Sequence, residues 1–128
     1  MWSFSEIQEL IKHESLFRSD QFAGVDYDTL LDVRDKSPFC SQWSEAEREV
    51  SAAWKQLPVE MAHRVEITVV REYVFRHVFR VTDQHDDMAA YTSDDFGLIC
   101  EAAVSGCWPK AVVTLADCYR RHQLPRAL

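Results

Sequence analysis

A chain of 128 residues, of which 47% are hydrophobic and 27% charged, has the composition of one globular domain. This composition argues against both a disordered segment and a membrane-spanning protein. The net charge of −7 disfavours a polyanion such as DNA as the main partner and favours a basic protein. With only three glycines and four prolines, turns are few and long helices are expected.

The N-terminal segment predicts a first helix over residues 4–17. Ser3 and Glu6 have the spacing of a capping box. Apolar side chains then recur at helical intervals, at Phe4, Ile7, Leu10 and Ile11. A short second helix is predicted through Leu30, Leu31 and Val33, with Asp26 or Asp28 as its N-cap.

Residues 37–41 contain Ser, Pro and Cys in an order typical of a connector. Another helix is then expected to begin at Ser44, because Ser44 and Glu47 form a second capping box. Its buried side would consist of Val50, Ala53, Trp54 and Leu57. Pro58 should end this helix and open the next one.

Residues 59–82 are rich in β-branched and aromatic side chains, which favour strands. However, the segment has no Gly, Pro or Asn after Pro58 to turn a hairpin, and one helical arc contains Ile67, Val70, Val74, Val78 and Val81. We therefore predict one long central helix, with a β-hairpin at residues 64–82 as the alternative. The expected fold class is all-α, with five or six helices in a single compact domain spanning residues 1–128.

The C-terminal third is expected to start with a polar connection from Asp83 to Tyr91. A short helix would begin at residues 93–95 and bury Phe96, Ile99, Cys100 and Ala103. Gly106 suits the C-terminal end of that helix, and Pro109 suits the start of the last one. The inner face of the last helix would consist of Val112, Leu115, Ala116 and Tyr119, and Leu124 with Pro125 would terminate it.

Residues 98–117 fit the spacing of a helix-turn-helix, with Ala102 at the small position and Gly106 at the turn. A DNA-binding regulator is therefore an alternative function. The outward positions of the second helix argue against it, because only two of the five are polar side chains that could contact bases or phosphates without repulsion, and an acidic segment precedes them. These positions are Trp108, Lys110, Val113, Thr114 and Asp117. A helical hairpin that closes the core explains the same residues.

Metal ligation and catalysis have little support in the sequence. Cys118 and His122 share a helix face, but no close pair of the kind found in zinc sites accompanies them. Glu60 and His63 form half of a carboxylate-bridged metal motif whose second half is missing. No phosphate-binding glycine loop or activated nucleophile is recognisable. We expect no metal, no cofactor and no enzymatic activity, and we expect the four cysteines to be free thiols in the cytoplasm.

Six acidic residues and no Lys or Arg occur between residues 83 and 101. Carboxylates around aromatic side chains can recognise a basic protein surface. The residues predicted to contact a partner are Asp83, Asp86, Asp87, Tyr91, Asp94, Asp95 and Glu101. The leading hypothesis is a small acidic protein of the inhibitor, immunity or antitoxin type that neutralises a basic protein partner, either as a monomer or as a homodimer, without contacting nucleic acid or a membrane.

Overall fold

The computed structural model describes residues 1–13 and 17–128, which form one compact all-helical domain. The helices are α1 (Phe4–Lys12), α2 (Ser19–Phe22), α3 (Tyr27–Arg34), α4 (Phe39–Lys55), α5 (Arg64–Val81), α6 (Asp86–Ser105) and α7 (Lys110–Arg120), with a 3-10 turn at Val59–Met61. The all-α prediction is confirmed. The described residues contain no strand, so the alternative hairpin at 64–82 is wrong.

The centre of the domain is formed by α5 and α6, which make the most extensive contact between any two described helices. The predicted arc of α5 is buried at Ile67, Val70, Val74 and Val78. The 20-residue helix α6 buries more side chains than any other described helix, and it carries Phe96 through the core. The predicted central helix is therefore one of two. It begins at Arg64 because His63 has a left-handed φ of 52°, which interrupts the helix after the 3-10 turn.

Side-chain caps set the starts of the N-terminal helices. The Ser3 hydroxyl accepts a hydrogen bond from the Glu6 amide at 3.1 Å, as the capping-box spacing predicts. Asp26 caps α3 by accepting from the Thr29 amide at 3.2 Å. Helix α1 ends at Lys12, and the predicted continuation to residue 17 includes residues 14–16, which lie outside the described part of the chain. Helix α2 was not predicted.

Helix α4 begins at Phe39, five residues before the predicted start at Ser44. The prediction of a connector at residues 37–41 is therefore wrong beyond Pro38. Phe39 is buried, and its ring lies 4.7 Å from the guanidinium carbon of Arg34. Burial of this ring against α3 favours an additional helical turn, which the exposed capping box at Ser44 does not interrupt.

Helix α6 also begins earlier than predicted, at Asp86 instead of residues 93–95. The turn that precedes it is short, with Asp83 and Gln84 at φ of 56° and 70°. His85 caps the helix, because its Nδ1 accepts from the Met88 amide at 3.1 Å. Met88 is fully buried and anchors the first turn in the core, so the expected polar connection is helical from residue 86 onward.

Helix α7 follows the predicted pattern closely. Gly106 ends α6 with a φ of 75°, and Pro109 precedes the first residue of α7. All four predicted inner residues of α7 are buried, namely Val112, Leu115, Ala116 and Tyr119. Within the described residues no single helix is long and apolar enough to cross a membrane; α6 and α7 pass that test only as a pair, and the pair is bent by 118°.

Candidate partner-binding face

Six of the seven predicted contact residues lie at the surface of α6 or in the turn just before it. Asp87, Tyr91, Asp94 and Glu101 are separated by intervals of four, three and seven residues, which place them on the same helix face. Asp86, the first residue of α6, and Asp83, in the turn before it, are also exposed but do not share this spacing. We call these six residues the acidic face. Asp87 and Asp94 are exposed, whereas Tyr91 and Glu101 are half-buried.

Asp95, the seventh predicted residue, is fully buried and does not belong to the acidic face. Its carboxylate accepts two hydrogen bonds from Arg34, from Nη1 at 2.8 Å and Nη2 at 2.5 Å. It also accepts from Trp43 Nε1 at 2.9 Å and from the Tyr119 hydroxyl at 2.5 Å. With four donors directed at it inside the core, this carboxylate has no surface to offer a partner.

In this buried network the positive charge of Arg34 is paired with the negative charge of Asp95. Burial acts to lower the pKa of Arg34, but the Asp95 charge and its hydrogen bonds outweigh that effect, so the guanidinium stays charged. Burial, together with the Asp95 charge, raises the pKa of Tyr119 well above its usual value, which keeps this hydroxyl a neutral donor. The hydrogen bonds that Arg34, Trp43 and Tyr119 donate to Asp95 join α3, α4 and α7 to the buried side of α6.

A pocket of about 150 Å³ opens beside the acidic face, between α3, α4 and α6. Its lining includes Arg34, Asp35, Phe39, Trp43, Tyr91 and Asp94. The Arg34 guanidinium carbon is 4.7 Å from the centre of the Phe39 ring and 5.3 Å from that of Tyr91. The pocket thus has aromatic walls, a buried cation and two carboxylates.

Tyr91 links the acidic face to the end of α3. Its hydroxyl donates a hydrogen bond to Asp35, and this bond together with burial raises the pKa of Tyr91 to about 12. The tyrosine is therefore a neutral donor at any physiological pH. Asp35 is exposed and adds a carboxylate to the same surface.

A second hollow, of about 250 Å³, continues from the pocket along α6. Glu47, Asp94 and Glu101 contribute carboxylates to its lining, and Trp43 and Asp94 line the first pocket as well. Arg71 reaches across from α5 and pairs with Asp94 at 2.6 Å. Burial raises the pKa of Glu101, although the Arg71 charge opposes the shift. The three carboxylates outnumber the one cation, so this hollow is acidic.

Three residues beside the acidic face were not predicted from the sequence, namely Asp35 at the end of α3 and Trp43 and Glu47 on α4. No local pattern shows that these two helices pack against α6. The one available signal was the four-residue interval between Phe39 and Trp43, which is typical of one helix face. It was lost because residues 37–41 were interpreted as a connector.

The other candidate sites are not assembled in the described part of the chain. Those residues contain no group of three His, Cys, Asp or Glu side chains arranged to hold a metal ion. Burial raises the pKa of Cys100 far above its usual value, and burial also raises the pKa of Cys118, so both favour the protonated thiol. The helical hairpin of α6 and α7 directs Tyr119 into the core.

Comparison with protein-family profiles gives a match. The profile of the family described as immunity protein PIM1 matches residues 6–126, which is nearly the whole chain. Neither the curated proteins nor the solved structures provide a match. Because the family profile covers residues 6–126, the chain is a member of the immunity protein PIM1 family.

Proposed function

We propose that this protein binds a basic protein toxin through its acidic face and neutralises it as a stoichiometric, non-catalytic inhibitor in the cytoplasm. The observation that carries the proposal is the family match over residues 6–126, since an immunity protein acts by binding a partner protein. The exposed carboxylates of the acidic face support the proposal that the partner is basic. Asp83, Asp86, Asp87 and Asp94 are exposed there, next to aromatic side chains.

Electrostatic attraction would act before contact. Carboxylates gathered on one surface raise the association rate of a basic partner, and salt reduces that rate because it screens the charges. Tyr91 and Trp43 are half-buried beside these carboxylates, so they would provide the apolar contact that charge alone does not supply. The net charge of −7 acts in the same direction over the whole molecule.

The first test is capture of the partner from native cells on the tagged protein, at low and at high salt. We expect one basic protein at a stoichiometric ratio, with less retained as the salt concentration rises. Purified partner should lose its toxic activity when an equal amount of this protein is added. Recovery of DNA in place of a protein would contradict the proposal and favour the helix-turn-helix alternative at residues 98–117.

A matched pair of triple variants tests the position of the interface. Replacing Asp86, Asp87 and Asp94 with Asn should slow association with the captured partner by about tenfold at low salt, with little change at high salt. The control replaces Glu9, Glu60 and Glu72 with Gln, which removes the same charge from exposed positions on other elements. Equal effects of the two triple variants would show that only net charge matters and that the acidic face is not the interface.

A further inference from the structure

We propose that the exposed side of α5 binds a second copy of this chain, so that the protein forms a homodimer in which two α5 helices lie antiparallel across a two-fold axis. The surface is centred on Val65 and Val69, which are 72% and 58% exposed. Three features of this surface favour a second copy: its exposed apolar side chains, the balance of the charges around them, and the order of residues along α5.

Exposed apolar side chains are concentrated on and just before the first half of α5. Six large hydrophobic side chains are exposed among the described residues, and four of them fall within residues 59–69. Val65 and Val69 line a groove of about 260 Å³ between α1 and α5, together with Ile11 and Tyr73. Contact of such a surface with water is unfavourable, and a groove beside exposed valines offers a place for apolar side chains of another molecule.

The charges around the two valines balance, which favours a second copy over a basic toxin. Four exposed charged residues lie in the groove or at neighbouring helix positions, two of them positive and two negative, namely Lys12, Arg64, Glu66 and Glu72. A basic protein gains little attraction from a surface without net charge. Two copies of a molecule with a net charge of −7 repel each other, above all through the acidic face, but this surface adds nothing to the repulsion.

The order of residues along α5 favours an antiparallel pair. Glu72 and Arg76 continue the exposed side, three and seven residues after Val69. In a parallel pair each residue would face its own copy, so Glu72 would meet Glu72 and the like charges would repel. With the two-fold axis halfway between Val65 and Val69, an antiparallel pair brings these two valines together. The two Glu72 side chains then lie about 15 Å apart along the helices.

A second copy on α5 leaves the acidic face accessible. The buried side of α5 packs against α6, so the exposed valines lie on the side turned away from α6. The dimer should therefore bind two toxin molecules. Loss of the dimer should not prevent neutralisation of the toxin.

Sedimentation velocity over a range of protein concentrations tests the association. We expect reversible dimerisation of the wild-type protein in the micromolar range, because a contact centred on two valines is small. Val65→Glu and Val69→Lys should each raise the dimer dissociation constant at least about tenfold, because each places a charge against an apolar side chain. Both positions are exposed, and Glu and Lys favour helices more than Val, so the fold should be kept.

Val33→Glu is the matched control, because Val33 is an exposed valine on α3 outside the groove. Its dimer should be as stable as that of the wild-type protein. A wild-type protein that is monomeric at every concentration, or equal weakening of the dimer by all three variants, would overturn the proposal.

A mixture of Val65→Glu and Val69→Lys tests the antiparallel order. One chain of each kind would place the new carboxylate against the new ammonium group at one contact and keep two valines together at the other. We expect the mixture to dimerise at least about tenfold more tightly than either variant alone. A parallel pair would gain no such contact, so a mixture that associates no better than the separate variants would overturn the antiparallel dimer.

Toxin binding by the same variants separates this inference from the proposed function. Monomeric Val65→Glu and Val69→Lys should still capture and neutralise one toxin molecule per chain. If both lost the toxin while Val33→Glu kept it, this side of α5 would be the toxin interface and the second copy would be overturned. If the wild-type protein dimerised but captured no toxin, the proposed function would fail and the dimer would stand.

Discussion

At the scale of single residues, Asp94 and Asp95 show how far adjacent identical side chains can differ. Asp94 is exposed and pairs with Arg71, whereas Asp95 is fully buried and accepts hydrogen bonds from three other helices. Consecutive helix residues point about 100° apart, so one of the two faces solvent and the other the core. The sequence predicted that both lie at the start of a helix, because acids are typical of a first helical turn, and that both contact a partner.

The same substitution should destabilise the protein to very different extents at these two positions. Asp95→Asn removes the charge that Arg34 needs in the core, so the free energy of unfolding should fall by about 3–5 kcal/mol. Asp94→Asn breaks only an exposed ion pair and should cost less than about 1 kcal/mol. Urea unfolding of both variants measures the difference. Similar midpoints for the two variants would mean that the buried pair contributes little to stability.

At the scale of helices, the ends were harder to predict than the buried faces. The inner face of α7 and the arc of α5 follow simple apolar periodicity, and both predictions are confirmed. The N-terminal half of α6 was missed because its buried side contains the polar residues Thr92 and Ser93, which interrupt the apolar pattern. Their hydroxyls donate to the backbone carbonyls of Met88 and Arg71, and these hydrogen bonds make burial of the two side chains acceptable.

The two glycines of α6 should respond to alanine with opposite signs. At Gly97, alanine favours the helix by up to about 1 kcal/mol, although its Cβ would lie 2.9 Å from Cδ of Arg71 and this flexible side chain must move aside. At Gly106, which has a φ of 75°, alanine should cost about 1 kcal/mol, because an L-residue is strained there. Thermal or urea unfolding distinguishes them. A larger loss at Gly97 than at Gly106 would show that the contact between α5 and α6 cannot adjust.

At the scale of the whole molecule, the sequence predicted the fold class but not the arrangement around α6. Helical periodicity and capping residues are local, so they can be recognised without knowledge of the fold. The pocket depends on contacts such as Arg34 with Asp95 and Trp43 with Asp95, which join residues 61 and 52 positions apart. No local pattern encodes such pairs. For this reason the acidic face was predicted, whereas the pocket beside it was not.

The reaction rates of the cysteine thiols test how often the core of the domain opens to solvent. Cys40 is exposed and should react with a thiol reagent at once, whereas Cys100 is fully buried in the core and should react at least about a thousandfold more slowly, since it requires opening of the fold. Variants that keep only Cys40 or only Cys100, with Ser at the other positions, separate the two rates. Rapid labelling of Cys100 would reveal frequent opening around α6, and denaturant should abolish the difference.

The position of Tyr119 on α7 has a consequence for synthesis of the protein in the cell. Tyr119 binds Asp95 from 24 residues farther along the chain. At a translation rate of roughly 5–20 residues per second, Asp95 is made about one to five seconds before Tyr119. During that interval the last donor to the carboxylate does not yet exist. A newly made molecule therefore cannot complete its core, and with it the wall of the pocket, before the ribosome has finished α7.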